Sequence, residues 1–162
     1  MNNDEETGTA DLTGDLSGTY VPSTWDWVAD QVALYERSNG TEGNTLRDTG
    51  IPVVLVTMIG KTSGNVRKIA LMRVEHEGSY ALVASVGGRP ENPKWYANLV
   101  ANPDNVMLQD GPAPFPVTVR EVSGDERQQW WERAAAVFPT YEEYRVKTER
   151  VIPVLVASPR AV

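Results

Sequence analysis

The chain has 162 residues, 41% of them apolar, and a formal charge of −7; that length suits one domain able to bury its own core without metal or disulfide staples. It contains no Cys and a single histidine, His76, which excludes thiolate catalysis, iron–sulfur clusters, thiolate-bound zinc and a paired-histidine metal site. No run nears the ~18 apolar residues of a membrane span, and the N-terminus lacks the basic-then-apolar layout of a signal peptide, so a cytoplasmic location is expected.

Residues 1–20 hold Asp4, Glu5, Glu6, Asp11 and Asp15 but no Lys or Arg, leaving −2 for the body. Such a Gly/Thr/Asp-rich stretch cannot bury a core and is expected to be a disordered acidic leader, with a single domain over 21–162. "STWDWVADQVALYER" repeats Trp25, Val28, Val32 and Tyr35 at helical spacing and reads as an amphipathic helix from Ser23 to Arg37. Its charges are mostly acidic, unlike a helix that lies on anionic lipid, so it is expected to pack on the domain as a cover. "PVVLVTM", Pro52 to Met58, is a β-branched strand.

"IGKTSGNVRK" follows, and its Gly-Lys-Thr suggests nucleotide phosphate. A P-loop needs a further glycine five residues before the Gly-Lys pair, and that place is Leu55. What remains is a turn carrying Lys61, Thr62, Ser63, Arg67 and Lys68 with no acid among them, a small positive island. The alternation of "VRKIALMRVEHEG" then predicts one strand that ends in a hairpin at His76 to Gly78, which makes His76 a solvated turn residue rather than a base. An enzyme so poor in reactive side chains draws its chemistry from a bound cofactor.

"SYALVASV", Ser79 to Val86, is the hairpin partner, and its period of two puts Ala81, Val83 and Ser85 on one face. Small side chains there suit either a flat ring lying on the sheet or bulky neighbours across a core. "GGRPENPKWYANLVANP" leaves the strand through Gly87 and Gly88 and enters a helix with Asn92 as N-cap and Pro93 in its first turn. This is either an anion-binding helix start beside a permissive turn or a plain connector. Strands follow at Val106 to Gln109 and Phe115 to Val122. Two helices come next, each opened by a capping box, Ser123 with Glu126 and Thr140 with Glu143. The last strand, "VIPVLVA", is expected at an edge or bulge because of Pro153. Six mostly antiparallel strands interrupted by four helices make a small α+β barrel rather than a Rossmann fold.

The series "GKTSGNVRK", "VASVGGRPENPKWYANLVANP" and "PTYEEYRVKTERVIPV" resembles the deazaflavin-dependent nitroreductase and quinone reductase family of actinobacteria, over about Pro52 to Pro159. The resemblance implies an FMN-binding-type split β-barrel, α+β and six-stranded with flanking helices. It implies an oxidoreductase that binds coenzyme F420, whose phosphate and glutamate tail is anionic. Lys61, Thr62, Ser63, Arg67 and Lys68 would hold that tail through charge-assisted hydrogen bonds. The family's Gly-Arg-Lys order reads Gly60-Lys61-Thr62 here, one cation fewer. The ring would lie against Val83, Ala84, Ser85 and Val86 and the Gly87-Gly88 turn, with Ile69 and Ala70 opposite and Trp95 and Tyr96 bracing the wall.

By the same resemblance a quinone or nitroaromatic acceptor would sit among Ser85, Met72, Phe138, Tyr141 and Tyr144. Ser85, Tyr141 and Tyr144 would be the catalytic contacts, a tyrosine hydroxyl bonding the acceptor oxygen as charge develops on it. Helical spacing alone equally allows Tyr141 and Tyr144 to be packing aromatics. Met72, Val86 and Phe138 replace polar residues of the drug-activating relatives, so activity on bicyclic nitroimidazoles is not implied. An FMN-dependent oxidoreductase of the same fold and a noncatalytic deazaflavin carrier are the alternatives. No nucleic-acid partner and no transmembrane segment are expected, and peripheral membrane contact is not favoured.

Overall fold

The computed structural model describes residues 16, 18–47, 49–85, 91–148 and 150–160. Helix α1 (Asp26–Arg37) begins later than its apolar spacing suggests, because Trp25 is still extended and donates its N–H to Ser23 Oγ at 3.1 Å. It ends where Asn39 and Gly40 turn left-handed. A Cβ on Gly40 would stand 2.6 Å from the Gly111 carbonyl oxygen, so only glycine fits that crossing.

Strands β1 (Val53–Ile59) and β2 (Val66–Met72) form a hairpin. A second hairpin joins β3 (Glu75–His76) to β4 (Ser79–Val83), turning at Glu77 and Gly78, both at positive φ. Helix α2 (Lys94–Ala101), β5 (Val106–Gln109), β6 (Pro114–Glu121), α3 (Gly124–Val137), α4 (Thr140–Lys147) and β7 (Val154–Pro159) complete the order.

The strands make one sheet of seven, in the order β2-β1-β5-β6-β7-β4-β3, with every pairing antiparallel. The single strand expected over Val66 to Gly78 is in fact two, which raises the count from six. Arg73 still donates to Pro52 O on the β1 side, at 2.8 Å, whereas Val74 O already accepts from Ala81 on the β4 side, at 2.9 Å. Two residues thus carry the chain from one end of the sheet order to the other. The sheet must curl for so short a link to span its edges.

The concave face of that curl is the main core, from Val54, Val56 and Met58 through Leu82, Val106, Leu108, Val117 and Leu155, with Leu99 of α2 among them. On the opposite face α3 covers β4 and β7 through Trp130, Trp131 and Ala134, while Val32 and Tyr35 of α1 cover Val53 and Leu55. β7 lies between β6 and β4, not at an edge. Pro153 is tolerated because it precedes the strand, and its carbonyl accepts from Ala84 at 3.0 Å.

Local capping is weaker than the sequence suggests. Ser123 caps α3 without a side-chain hydrogen bond, and the Glu126 carboxylate that would complete the box is drawn into a two-pronged pair with Arg120. Pro139 already has helical angles, so Thr140 lies inside α4 and makes no cap. Asn92 does not cap α2 either: Pro93 holds that position, and Asn92 Oδ1 accepts from Arg150 at 2.7 Å.

Most of the expected leader lies outside the described residues. Its end does not behave as a free tail. Leu16 packs with Ile59, Val66 and Met107, and Tyr20 bridges Val66 in parallel register. β2 is an edge strand with open backbone groups, and this segment takes some of them.

Where the sheet curls shut, Asp110 Oδ2 accepts from Arg73 Nε at 2.8 Å and from the Tyr80 hydroxyl at 2.7 Å. Burial and that carboxylate push the Tyr80 hydroxyl from 10.0 up to about 12. Its folded pKa is raised, so its stabilisation is whole below pH 10 and is lost as pH climbs through about 12. Tyr80→Phe is expected to cost about 1.5 kcal/mol near neutral pH. It should also remove part of the alkaline slope, which denaturant titrations at pH 8 and pH 11 would read.

Candidate functional site

The turn between β1 and β2 is a compact, pre-formed loop. Gly60 N–H donates to Asn65 O at 2.7 Å and Gly64 N–H to Gly60 O at 2.9 Å. Ser63 Oγ accepts from Asn65 N at 3.1 Å, and a Cβ on Gly60 would stand 2.8 Å from that same oxygen. Helix α2 braces the loop from the side, because Lys61 N–H donates to Asn98 Oδ1 at 2.9 Å. Lys61, Thr62 and Ser63 are left exposed at the tip. Arg67 stands opposite Met58 in the register, on the concave-side parity of the sheet. Among the described residues no carboxylate lies within ion-pair distance of Lys61 or Arg67. Two unmatched cations and two hydroxyls on a fixed loop form a donor set that fits a phosphate or carboxylate.

Lys68 departs from that set. It alternates to the other face, opposite Thr57, where its Nζ lies 2.6 Å from Glu36 Oε2 of α1 and 4.7 Å from the centre of the Tyr20 ring. The sequence island therefore divides across the strand. Ile69 and Ala70 divide likewise. Ile69 packs on the concave core, whereas Ala70 faces Val32 and Tyr35.

Five residues along β2 from Arg67, about 17 Å at the usual strand rise, Met72 enters an apolar cluster with Val83, Phe138, Tyr141 and Tyr144. The rings are set edge to face: Phe138 and Tyr141 are 5.1 Å apart at 86°, and Tyr141 and Tyr144 are 6.3 Å apart at 72°. Trp131 backs Tyr141 at 6.0 Å. Tyr141 is 4% exposed, and among the described residues nothing hydrogen-bonds its hydroxyl. Burial above all, and then neighbouring Tyr144, raises its pKa above 10.0. The result is a neutral phenol in a largely apolar surround whose hydroxyl is not among the fully enclosed polar atoms left without a partner, so its proton at Oη is available to a ligand.

Ala81 and Val83 do face this side of β4, but α3 covers them with Trp130 and Trp131. At those two positions the small side chains meet bulky ones. Ser85, next on the same parity and 8% exposed, continues that row. Its carbonyl and that of Ala84 are held by Arg150 Nη2 at 2.9 and 3.1 Å. Ala84 has the opposite parity and is buried. Val86, Gly87 and Gly88 lie outside the described residues.

Trp95 and Tyr96 are placed apart from the aromatic cluster. Both pack on the concave core from α2, and the Tyr96 hydroxyl donates to Glu121 at 2.6 Å. His76 is exposed, as its turn position suggested. It lines a shallow hollow of about 290 Å³ with Arg120, Glu126 and Arg133. That hollow has no net pull on an anion, because its two arginines, Arg120 and Arg133, are balanced by Glu77 and Glu126.

Asn98, Arg150, Glu36 and Tyr20 shape these two regions without having been singled out by sequence. Asn98 and Arg150 belong to the stretches "WYANL" and "KTERV". A polar residue on the apolar run of α2, and an Arg just before an apolar strand, were the available signals.

Comparison with known proteins agrees with this architecture. Residues 27–159 match the family model described as F420H(2)-dependent quinone reductase. An F420H(2)-dependent quinone reductase of Mycobacterium tuberculosis is 35% identical over 131 residues, 79% of this chain and 87% of the relative. The solved structure of an F420-H2 dependent reductase, FDR-A, is 49% identical and superposes with a TM-score of 0.62 over 66% of this chain and 94% of its own. Another solved chain, a domain-swapped dimer, is 45% identical with a TM-score of 0.65 and covers 84% of this chain and all 100% of itself. With a family match spanning both the cationic turn and the tyrosine wall, the chain belongs to the F420H(2)-dependent quinone reductase family.

Proposed function

We propose that this chain, on a split barrel of the FMN-binding type over residues 21–162, oxidises reduced coenzyme F420 at the expense of a quinone. It is an F420-dependent reductase by family. What supports the detailed reading is a cationic turn at the start of β2, with no carboxylate within ion-pair distance of Lys61 or Arg67 among the described residues, and, at the far end of the strand on its outer face, a protonated tyrosine in an apolar cluster with Met72.

When bound, the reduced deazaflavin supplies the hydride. Everything else falls to the protein. Lys61, Thr62, Ser63 and Arg67 hold the phosphate and carboxylates of the tail. Of the ring-side residues expected from the family, Ser85 is the one left to meet the ring, since Val83 is covered by α3 and Ala84 is buried with the opposite parity; Arg150 stiffens that end through the Ala84 and Ser85 carbonyls, and Val86, Gly87 and Gly88 are proposed to complete the surface. Ile69, Ala70, Trp95 and Tyr96 contribute by fixing β2 and α2. Met72, Phe138 and Tyr144 keep water from the acceptor. Tyr141 holds a proton at Oη toward the acceptor oxygen, with Ser85 as a second hydroxyl on the same side. A nitro oxygen could take the same hydrogen bond, which extends the acceptor class to nitroaromatics. The reading places the enzyme in the cytoplasm; among the described residues no helix is long and apolar enough to cross a membrane.

The test is a titration of the purified protein with oxidised F420 and with FMN, followed by ligand fluorescence, and then addition of menadione to the complex with reduced F420. Tighter binding of F420 than of FMN, with menadione-dependent reoxidation, is expected. Preferential FMN binding would transfer the site to the flavin, and saturable F420 binding without reoxidation would make the protein a carrier.

A further inference from the structure

We infer that Lys68 is a positioning residue that fastens the cover helix α1 to the cofactor strand, and that it is not a ligand of the coenzyme's tail. This rests on the proposed use of the β1–β2 turn as the tail site.

The argument starts from parity. Successive residues of a strand point to opposite faces, so Arg67, opposite Met58, and Lys68, opposite Thr57, leave β2 in opposite directions. Arg67 stays beside the turn, where its Cγ would lie 3.9 Å from a Cβ on Gly60. Lys68 instead enters a pocket with two occupants. The Glu36 carboxylate of α1 lies 2.6 Å from its Nζ, and the lysine side chain is 19% exposed. The Tyr20 ring lies 4.7 Å from the same ammonium, and Tyr20 is itself bound to β2 by its bridge to Val66. An ammonium already neutralised by a carboxylate and resting on an aromatic face offers a second anion little.

The same contacts give Lys68 another task. Lys68, Ala70 and Met72 form one row on the outer face of β2. Ala70 packs under Val32 and Tyr35 of α1, and Met72 packs with Phe138 and Tyr144 at the acceptor wall. Because Glu36 is next to Tyr35 on α1, the ion pair fixes where the helix lies over that row. Val53, which that helix also covers, is the cross-strand partner of Met72.

The experiment compares F420 with its tail-free ring analogue, the deazaflavin riboside that lacks phosphate and glutamates. The ratio of their dissociation constants isolates the tail. Arg67→Ala should reduce that ratio about tenfold or more, whereas Lys68→Ala should leave it within about twofold. Lys68→Ala should instead speed amide exchange over residues 26–37 and raise the menadione KM severalfold at little cost in kcat. The charge swap, Lys68→Glu with Glu36→Lys, should recover most of the protection and the KM, which the single Lys68→Glu loses. Loss of tail discrimination in Lys68→Ala, or a swap that behaves no better than Lys68→Glu alone, would overturn the proposal. If the wild-type protein does not distinguish F420 from the riboside, the reading of the turn fails instead; the exchange and swap measurements still decide the role of Lys68.

Discussion

Tyr141→Phe is expected to lower kcat for menadione by about one to two orders of magnitude, with the protein about as stable as before. The rate effect follows from where charge appears. Hydride addition to a quinone leaves negative charge on an oxygen, and a fixed hydroxyl in a dry site stabilises it without reorganisation; removing a single such donor costs ~10²–10³ in well-enclosed sites. One phenol at the edge of an aromatic cluster, less enclosed than those donors, should contribute about the bottom of that range or somewhat less. The stability effect follows from the hydroxyl's present state. Among the described residues it makes no hydrogen bond that its deletion would break, and it is not among the fully enclosed polar atoms left without a partner, so its loss costs little and leaves the ring contacts with Phe138 and Trp131 intact. A structural residue would give the reverse pattern, lost stability and unchanged turnover. The pH profile offers a second check. Because burial raises the pKa of Tyr141 above 10.0, the group keeps its proton throughout the neutral range and up to pH 10. No alkaline fall in kcat below pH 10 should be assignable to it. If kcat is unchanged in Tyr141→Phe, the ring is only packing, and the hydrogen bond to the acceptor must come from Ser85 or Tyr144.

Those residues show what local pattern can and cannot carry. Helical spacing put Tyr141 and Tyr144 on one side of α4, and they do share one cluster. Alternation set the hairpin at Glu77 and Gly78, where the backbone is left-handed. Both signals are encoded within a few residues. The break at Arg73 and Val74 is not, since alternation runs unchanged through both strands and only the partners differ. The fate of Lys68 was equally hidden, because its carboxylate partner is 32 positions away on another element. Arg150 reaches back 66 residues to the Ala84 carbonyl. The capping box at Ser123 lost its carboxylate to Arg120 of β6, and the one at Thr140 was displaced because Pro139 already has helical angles. Lys68 and Arg150 each answered to a partner far off in the chain, which no local pattern encodes.

The loss of Lys68 to Glu36 makes Arg67 the cation on which tail binding should depend most. Arg67→Ala is expected to raise the F420 dissociation constant ten- to a hundredfold, about 1.4–2.8 kcal/mol. Lys61 sits on the exposed turn tip, where an ammonium is well hydrated and screened. Arg67 is half-buried beside the loop and presents a planar fork suited to two oxygens at once. With Lys68 matched by Glu36, and with the hydroxyl of Thr62 rather than a third cation on the turn, no close substitute for Arg67 remains among the described residues. Salt gives the mechanism away. The Debye length falls from ~10 Å at 0.1 M to ~3 Å at 1 M, so the wild-type and Arg67→Ala dissociation constants should converge as salt rises, through weakening of the wild type. Arg67→Lys should restore the charge but only part of the affinity, because an ammonium cannot reproduce the two parallel hydrogen bonds. A variant that binds F420 as tightly as the wild type at low salt would show that the guanidinium serves only the packing of β2 against Met58, and that the tail lies elsewhere.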